Sequence, residues 1–440
     1  EYPVIRLDMS GAGATAAEIK DYLNLEFSKY EALYSIKPKE TSRESVRFQV
    51  ILDTAYQKTG KQVVVLIDEY DSPLQHSWKT PEHEGCTEVY RSVFSVLKLK
   101  GNVLRFVFIT GITKFTQISL FSVLNHLTNI SFLPQFAPLC GITEEEMTVN
   151  FAPELEALAD KMECSIEEAH DKLKTYYDGY HFSDENMTDI YNPFSLLNAL
   201  SQLRLRNYWI SSGATSMLNK FVNNMELRLH DFEDCYIDKD TLETSDVIEG
   251  GSELFLYQTG YLTIKGFDED GYSLGFPNEE VRKALYKAVL PALTQKDITD
   301  IVSIQSRLMH SMNNGNLEEA KQCMKSLISN VPYSNKKLVS MDMEERYRLI
   351  ISTILNAIGC QVEVEHMLST GRIDIVASTS RFIYVMELKL ANNGGINVAE
   401  KQMIDNGYLK PFLADDRKVI GVAVELDDMG KGLIDWKEVK

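Results

Sequence analysis

The 440-residue sequence has no long apolar run and few cysteines. No stretch approaches the ~20 apolar residues that a membrane-spanning helix requires, and the first residues lack the charged start and apolar middle of a signal peptide. The 6 cysteines are scattered, without a C-x-x-C pair, so a secreted disulfide framework is not predicted. We therefore expect a cytoplasmic protein with reduced thiols and no membrane partner.

The sequence also lacks an excess of basic residues. It has 45 Lys and Arg against 64 Asp and Glu, for a net charge of -19, and such an acidic surface disfavours non-specific binding to nucleic acid. The acidity is uneven, because the part from Lys336 onward has 14 Lys and Arg against 16 Asp and Glu. Nucleic-acid binding therefore stays open for the C-terminal part.

The hydrophobic pattern divides the chain into three predicted parts. Residues 1–140 alternate strand and helix signals, and continuous apolar strands such as residues 61–74 indicate a mostly parallel α/β sheet. Residues 141–335 form a mostly helical middle region, in which we predict a hairpin at 249–267. Residues 336–440 read as an α-β-β-β-α-β unit that is large enough to hold its own core.

The apolar strand RFIYVMELKL carries Glu387 and Lys389. Side chains alternate along a strand, so these two should point to the same face. A hairpin with the preceding strand, RIDIVA, would place Asp374 opposite them, within a residue or two of register. Taken alone, the E-x-K tripeptide is also typical of an ion pair on a solvated edge face. The hairpin partner and the order of the elements favour a functional site.

These residue types suit the hydrolysis of a phosphodiester bond. Carboxylates are hard oxygen ligands for Mg²⁺ or Mn²⁺, and an ammonium group can assist the attacking water and stabilise a charged transition state. Glu344 lies one turn before Tyr347, which begins the apolar stripe of a helix that should pack on the sheet. We predict Asp374 and Glu387 as metal ligands, with Glu344 adding to the cluster and Lys389 assisting the water.

The motifs GRID and YVMELKL, preceded by the E-x-x-Y helix, resemble the PD-(D/E)XK, restriction-endonuclease-like fold. The resemblance is to the bacterial family that couples this fold to a predicted AAA-ATPase-like domain. It implies that Asp374 and Glu387 are the metal-binding acids, Lys389 is the catalytic lysine and Glu344 is the acid of the first helix.

The same resemblance extends to residues around this core. Gly371 and Arg372 match the residues before the first acid. Gln402 and Tyr408 match a helix motif that accompanies the nuclease core, in which the glutamine can sit near the active site. Gln402 is therefore a further predicted catalytic residue.

The N-terminal strand VVVLIDEYDSPL ends in Asp68 and Glu69, at the carboxyl end where open α/β sheets bind ligands. It resembles a Walker B motif, which implies that Asp68 holds Mg²⁺ and Glu69 polarises the attacking water. Thr110, at the end of the next apolar strand, stands where a sensor residue would contact a nucleotide. The segments FTQISLFSVLNHLTNIS, YDGYHF and YNPFSLL also resemble the family. A structural alternative is that the two acids cap a neighbouring helix.

The sequence lacks the phosphate loop G-x-x-x-x-G-K-[ST]. SGAGAT at residues 10–15 has no lysine. In the family the loop precedes the YPVI strand, so we expect it upstream of Glu1 and interpret residues 1–140 as a P-loop NTPase-like domain truncated at its start. Without the loop, ATP has no phosphate cradle. ATP is therefore a predicted cofactor only of a longer chain.

Two hypotheses follow. The first is a metal-dependent nuclease acting on nucleic acid, DNA being favoured over RNA, coupled to an AAA-like ATPase domain. The second is a non-catalytic regulatory or interaction protein, which uses a degenerate nuclease fold as a binding platform and a nucleotide-switch domain. AAA-like domains often assemble, so a homo-oligomer is compatible with both.

Overall fold

A computed structural model describes residues 1–37, 43–112, 127–209, 218, 235–244, 251–294, 298–329 and 342–439. The chain forms two compact units, both discontinuous in sequence. The first contains residues 1–137, 182–186 and 236–273, and the second contains residues 138–181, 187–235 and 274–440. The domain boundaries expected near residues 140 and 335 stay predictions.

A parallel sheet forms the centre of the first unit. Its strands lie in the order β1-β2-β3, and they are β1 (Val4–Asp8), β2 (Val63–Asp68) and β3 (Leu104–Ile109). The helices between and beside them are α1 (Ala16–Leu33), α2 (Glu44–Thr59), α3 (Ser72–Ser77) and α4 (His83–Leu99), with a short 3₁₀ turn at Met9–Gly11. The predicted parallel α/β sheet is confirmed. The segment FTQISLFSVLNHLTNIS lies mostly outside the described residues.

Short strands and helices occupy the middle of the chain. The strands are β4 (Ile142–Thr143), β5 (Ile190–Tyr191), β6 (Cys235–Asp238), β7 (Thr263–Phe267) and β8 (Gly271–Gly275). The helices before residue 294 are α5 (Glu144–Asn150), α6 (Ala152–Met162), α7 (Ile166–Tyr177), α8 (Pro193–Gln202), α9 (Lys239–Thr244), α10 (Gly251–Gln258) and α11 (Glu279–Thr294). Two more follow, α12 (Ile298–Asn313) and α13 (Leu317–Ile328), and a 3₁₀ turn spans Pro134–Phe136.

The hairpin predicted at residues 249–267 is wrong for its first half. Residues 251–258 form α10, and only the second half is a strand, β7, which lies beside β8. The run Leu254, Phe255 and Leu256 is buried at every position. A short, continuously apolar run has no period, so it does not distinguish a buried strand from a buried helix.

The C-terminal part contains a five-stranded mixed sheet in the order β13-β12-β11-β10-β9. This part of the chain begins with the helix α14 (Met343–Ala357). It continues through β9 (Gln361–Leu368), β10 (Gly371–Ser378), β11 (Phe382–Leu390), α15 (Gly395–Asp405), β12 (Lys418–Leu426) and β13 (Leu433–Val439). Short 3₁₀ turns span Ala391–Asn393 and Lys410–Phe412. The predicted α-β-β-β-α-β order is confirmed, and β13 is an additional strand.

Helices on this sheet hold its strands in place. The helix α14 contacts β9, β10 and β11, and α15 contacts β11, β12 and β13. Ala399 and Met403 of α15 belong to a buried cluster with Val376 and Val385 of the sheet. The sheet is therefore packed well enough to position polar side chains at fixed places along β10 and β11. Within the described residues, no helix has the length and apolar character needed to cross a membrane.

Tyr408 connects α15 to the strand that carries the first predicted acid. Its hydroxyl group donates to the carbonyl oxygen of Arg372 at 2.9 Å and accepts from Gln402 and Asn406, each at 3.1 Å. The ring is 1% exposed. At Gly371, a Cβ atom would lie 2.8 Å from this hydroxyl, so the start of β10 requires a glycine beside the tyrosine.

We expect Tyr408→Phe to destabilise the C-terminal domain by about 1–3 kcal/mol, because it leaves polar groups around a buried hydroxyl without a partner. Urea unfolding of the full chain measures the change. Lys401→Ala, at an exposed position of α15, is the control and should change stability by less than about 0.5 kcal/mol. An unfolding curve of Tyr408→Phe that overlays the wild type would contradict the role of this hydroxyl.

Candidate active site

The register of two strands brings the predicted acids together. Ile375 pairs with Met386 in the antiparallel β10–β11 ladder, so Asp374 lies beside Glu387. The backbone N–H of Leu388 donates to Asp374 Oδ2 at 2.8 Å, which fixes the first carboxylate against β11. Asp374 is 6% exposed and Glu387 is 1% exposed. This burial disagrees with the alternative of an ion pair on a solvated face.

Lys389 pairs with two of the acids. Its ammonium group donates to Glu387 Oε1 at 2.8 Å and lies 3.7 Å from Glu344 Oε1. Burial acts to lower the pKa of Lys389, but the hydrogen bond and charge of Glu387, aided by the other acids, raise it above its ordinary value. The lysine is therefore a fixed positive charge within this cluster, rather than a base.

One oxygen atom of Glu387 has no hydrogen-bond partner among the described residues. Oε1 accepts from Lys389, whereas Oε2 is buried and accepts no hydrogen bond from this part of the chain. Burial, together with the negative charge of Asp374, raises the pKa of Glu387 to about 7. An unsatisfied buried carboxylate oxygen is costly, and a cation bound beside it would remove that cost.

Glu344 approaches the cluster from the first turn of α14. Burial raises the pKa of this carboxyl group, with the charge of Asp374 adding to the effect, while Lys389 and Arg348 oppose it. The predicted acids Asp374, Glu387 and Glu344 are thus brought together with Lys389.

The donor set suits a hard divalent cation. Within the described residues, no group of three or more His, Cys, Asp or Glu side chains is arranged to hold a metal ion. Mg²⁺, however, is usually bound by one or two carboxylates together with water and substrate phosphate, rather than by a complete protein cage. The buried pair, Asp374 and Glu387, with its unpaired oxygen, fits that requirement.

An ion-pair chain next to Asp374 was not predicted. Arg348 NH1 pairs with Glu365 Oε1 and lies 3.7 Å from Asp374 Oδ1, and Arg372 NH1 lies 2.9 Å from the same oxygen of Glu365. Arg348 stands one helical turn after Glu344, and this i, i+4 spacing is a signal that could have revealed it. Nothing in the local sequence indicates the role of Glu365.

Gln402 lies outside this cluster of contacts. Its side-chain amide donates to Tyr408, and among the described residues no hydrogen bond connects it to Asp374 or Glu387. Its contact is with the hydroxyl that anchors the start of β10, which indicates a structural contribution. A catalytic role for Gln402 stays a prediction.

The predicted residues of the N-terminal sheet lie at its carboxyl edge. Thr110 Oγ1 donates to Asp68 Oδ1 at 2.5 Å. Glu69 is exposed and has a φ of 47°, an uncommon conformation for a residue other than glycine. Partial desolvation of its carboxyl group, followed by the charges of Asp8, Asp68 and Asp71, raises the pKa of Glu69. These acids therefore lie near one another.

Parallel pairing explains why Asp8 joins this edge. It is the register partner of Asp68 across β1 and β2, and because each of the two acids ends its strand, this shared position is a signal that could have revealed Asp8. The helix-cap alternative is not supported for α3, because the N-cap position of that helix is Asp71 rather than Asp68 or Glu69. Asp71 Oδ1 accepts from the backbone N–H of Ile112 at 3.2 Å.

Comparison with known proteins identifies two parts of the chain. Residues 1–121 match the family described as "Predicted AAA-ATPase", and residues 342–436 match the PD-(D/E)XK nuclease superfamily. The chain thus combines an AAA-ATPase-like part with a PD-(D/E)XK nuclease-like part. The predicted two-part architecture is confirmed.

A curated relative extends the similarity over most of the chain. It is the "Uncharacterized protein in vnfD 5'region" of Azotobacter chroococcum mcd 1, which is 27% identical over 452 aligned residues, covering 96% of this chain and 83% of the relative. No solved structure matches the chain.

We expect Glu387→Gln to stabilise the metal-free protein at pH 8 by up to about 3 kcal/mol. An acid whose pKa is raised by folding stabilises the fold while it is protonated. For Glu387 this contribution is complete below the ordinary value of 4.5 and is lost as the pH rises through about 7. The glutamine of the variant would stay neutral throughout, so its advantage should grow between pH 5 and pH 8.

Thermal unfolding in the presence of a chelator measures this difference, and Glu438→Gln, at an exposed position of β13, is the control. An equal effect of Glu387→Gln at pH 5 and pH 8 would show that burial does not destabilise the charged carboxylate.

Proposed function

We propose that the C-terminal domain is a metal-dependent nuclease that hydrolyses phosphodiester bonds in nucleic acid. The observation that carries this proposal is the buried pair of Asp374 and Glu387, in which Lys389 binds one oxygen of Glu387 and the other oxygen has no partner in the part of the chain that the structure describes. Such a group is costly to bury, because well-packed apolar residues of similar volume are often equally or more stabilising. A functional requirement explains why it is present.

The residues have distinct roles in this proposal. Asp374 and Glu387 would hold a Mg²⁺ or Mn²⁺ ion, assisted by Glu344. Such an ion would act there as a Lewis acid towards the phosphoryl oxygen and the attacking water. Lys389, which stays protonated beside Glu387, orients the water and stabilises negative charge that develops on the phosphoryl group.

We propose that the substrate is DNA rather than RNA and that the protein acts in the cytoplasm. The near-neutral charge of the C-terminal part, compared with the acidic remainder, makes it the more suitable surface for a polyanion. A non-catalytic binding platform is the competing function, and it predicts nucleic-acid binding without cleavage.

We expect the chain to cleave nucleic acid in Mn²⁺ or Mg²⁺ and to lose cleavage by at least about 100-fold in Glu387→Ala or Lys389→Met, because each removes a group that stabilises the transition state. The assay follows labelled DNA and RNA with and without a chelator. Lys418→Met, at an exposed position of β12, is a matched control that should retain activity. Cleavage that persists undiminished in both site variants would remove these residues from the mechanism, whereas metal-dependent binding without cleavage would favour the platform.

We also propose that the carboxyl edge of the N-terminal sheet is where a nucleotide and its metal ion would bind when a phosphate loop is also present. The hydrogen bond from Thr110 to Asp68 supports this, because it connects the ends of two neighbouring parallel strands, where ligands bind in open α/β sheets. Asp68 would hold a metal ion with its nucleotide, Glu69 would polarise water and Thr110 would sense the terminal phosphate.

The 440-residue chain should bind ATP·Mg²⁺ too weakly for saturation at millimolar nucleotide, because it has no lysine-containing phosphate loop. Isothermal titration calorimetry measures this, with Asp68→Asn as the comparison. Saturable binding that is lost in Asp68→Asn would contradict the need for the loop and would place a complete nucleotide site within this chain.

A further inference from the structure

Three carboxylates stand side by side on adjacent strands, with Asp374 of β10 in the middle. Glu387 lies beside it on β11, and Glu365 lies opposite it on β9, because Ile373 pairs with His366 and Ile375 pairs with Val364. Like charges that face each other across a ladder destabilise a sheet. A positive charge between Glu365 and Asp374 would offset this repulsion in the metal-free protein.

Arg348 supplies that charge. Its guanidinium NH1 contacts Glu365 Oε1 and lies 3.7 Å from Asp374 Oδ1, and its side chain is 10% exposed. The group is consequently poorly screened by solvent, and its electrostatic effect on Asp374 is stronger than that of an exposed arginine. Lys389 is the corresponding cation on the other side, beside Glu387.

Glu365 is held in an unusual conformation. Its φ is 57° within β9, the left-handed region that costs a residue other than glycine roughly 1 kcal/mol or more. Backbone strain of this kind tends to persist where a functional arrangement requires it. Here it accompanies a carboxylate that draws Arg348 towards β9, and Arg372 shares the same oxygen at 2.9 Å.

We propose that Arg348 competes with the metal ion for Asp374, and that the division of its ion pairing between Asp374 and Glu365 sets the affinity of the site for a divalent cation. The inference rests on the proposed metal site and adds its regulation. Without metal, Arg348 neutralises Asp374. When a dication binds, Arg348 pairs with Glu365 alone, which relieves repulsion between two cations at one carboxylate.

The proposal predicts that substitutions of Arg348 and of Glu365 change the affinity for Mn²⁺ in opposite directions. Arg348→Met removes the competing charge, so Mn²⁺ should bind about tenfold or more tightly. Glu365→Gln removes the group that draws Arg348 away, so Mn²⁺ should bind roughly threefold to tenfold more weakly. General structural damage would weaken binding in both variants. The opposite signs therefore distinguish a competitor from a purely structural ion pair.

Isothermal titration of the full chain with MnCl₂ is the measurement. Arg372→Gln is the matched control, because it removes a half-exposed arginine from the same Glu365 oxygen and should leave the affinity within about twofold. Arg348→Lys keeps the positive charge and should stay close to the wild type. Thermal unfolding with a chelator should show that Arg348→Met lowers metal-free stability, since it leaves Asp374 and Glu365 without their shared cation.

The outcomes separate this inference from the proposed function. If the wild type binds Mn²⁺ and Arg348→Met binds it equally or more weakly, the competitor role is wrong and the metal site stands. If Arg348→Met fails to fold, a tighter or unchanged affinity in Glu365→Gln overturns the inference, and a weaker one supports it. If no variant binds Mn²⁺, the proposed metal site and the inference fail together.

Discussion

Burial of two carboxylates side by side is the constraint on which the rest of the C-terminal domain depends. Each charge that leaves water costs several kcal/mol, even after relaxation, unless partners compensate it. Asp374 is compensated by the N–H of Leu388 and by Arg348, and Glu387 is compensated at one oxygen only, by Lys389. The remaining oxygen is buried and has no hydrogen-bond partner within the described ranges. The fold thus maintains an incomplete charge balance that a divalent cation would complete.

The surrounding elements can be understood from this requirement. The helix α14 places an acid and an arginine one turn apart beside the strands, and β9 contributes Glu365 in a strained conformation. On the other side, Tyr408 fixes the beginning of β10 through the carbonyl oxygen of Arg372. Packing of α14 and α15 on the sheet gives these side chains little freedom. A rigid sheet is the support that precise placement of metal ligands requires.

Much of this domain could be predicted from sequence, because its strands have a strong local signal. The β10–β11 hairpin follows from two apolar runs with few polar residues, and it brings Asp374 to Glu387. The strand β13 gave no such signal, because its buried residues, Leu433, Trp436 and Val439, recur at every third position rather than every second. The contact between Arg348 and Glu365 depends on how a helix lies on a sheet and on one left-handed residue, and neither is encoded in a local pattern.

The N-terminal sheet gathers acids at its carboxyl edge and the C-terminal sheet buries them in its interior, so the two parts of the chain use carboxylates differently. The claim that the buried pair is a metal site is tested most directly by anomalous diffraction from crystals of the chain grown with Mn²⁺. The account predicts an anomalous peak in contact with both Asp374 and Glu387. Crystals in which Mn²⁺ binds only elsewhere, with Glu387 Oε2 satisfied by a protein group, would contradict it.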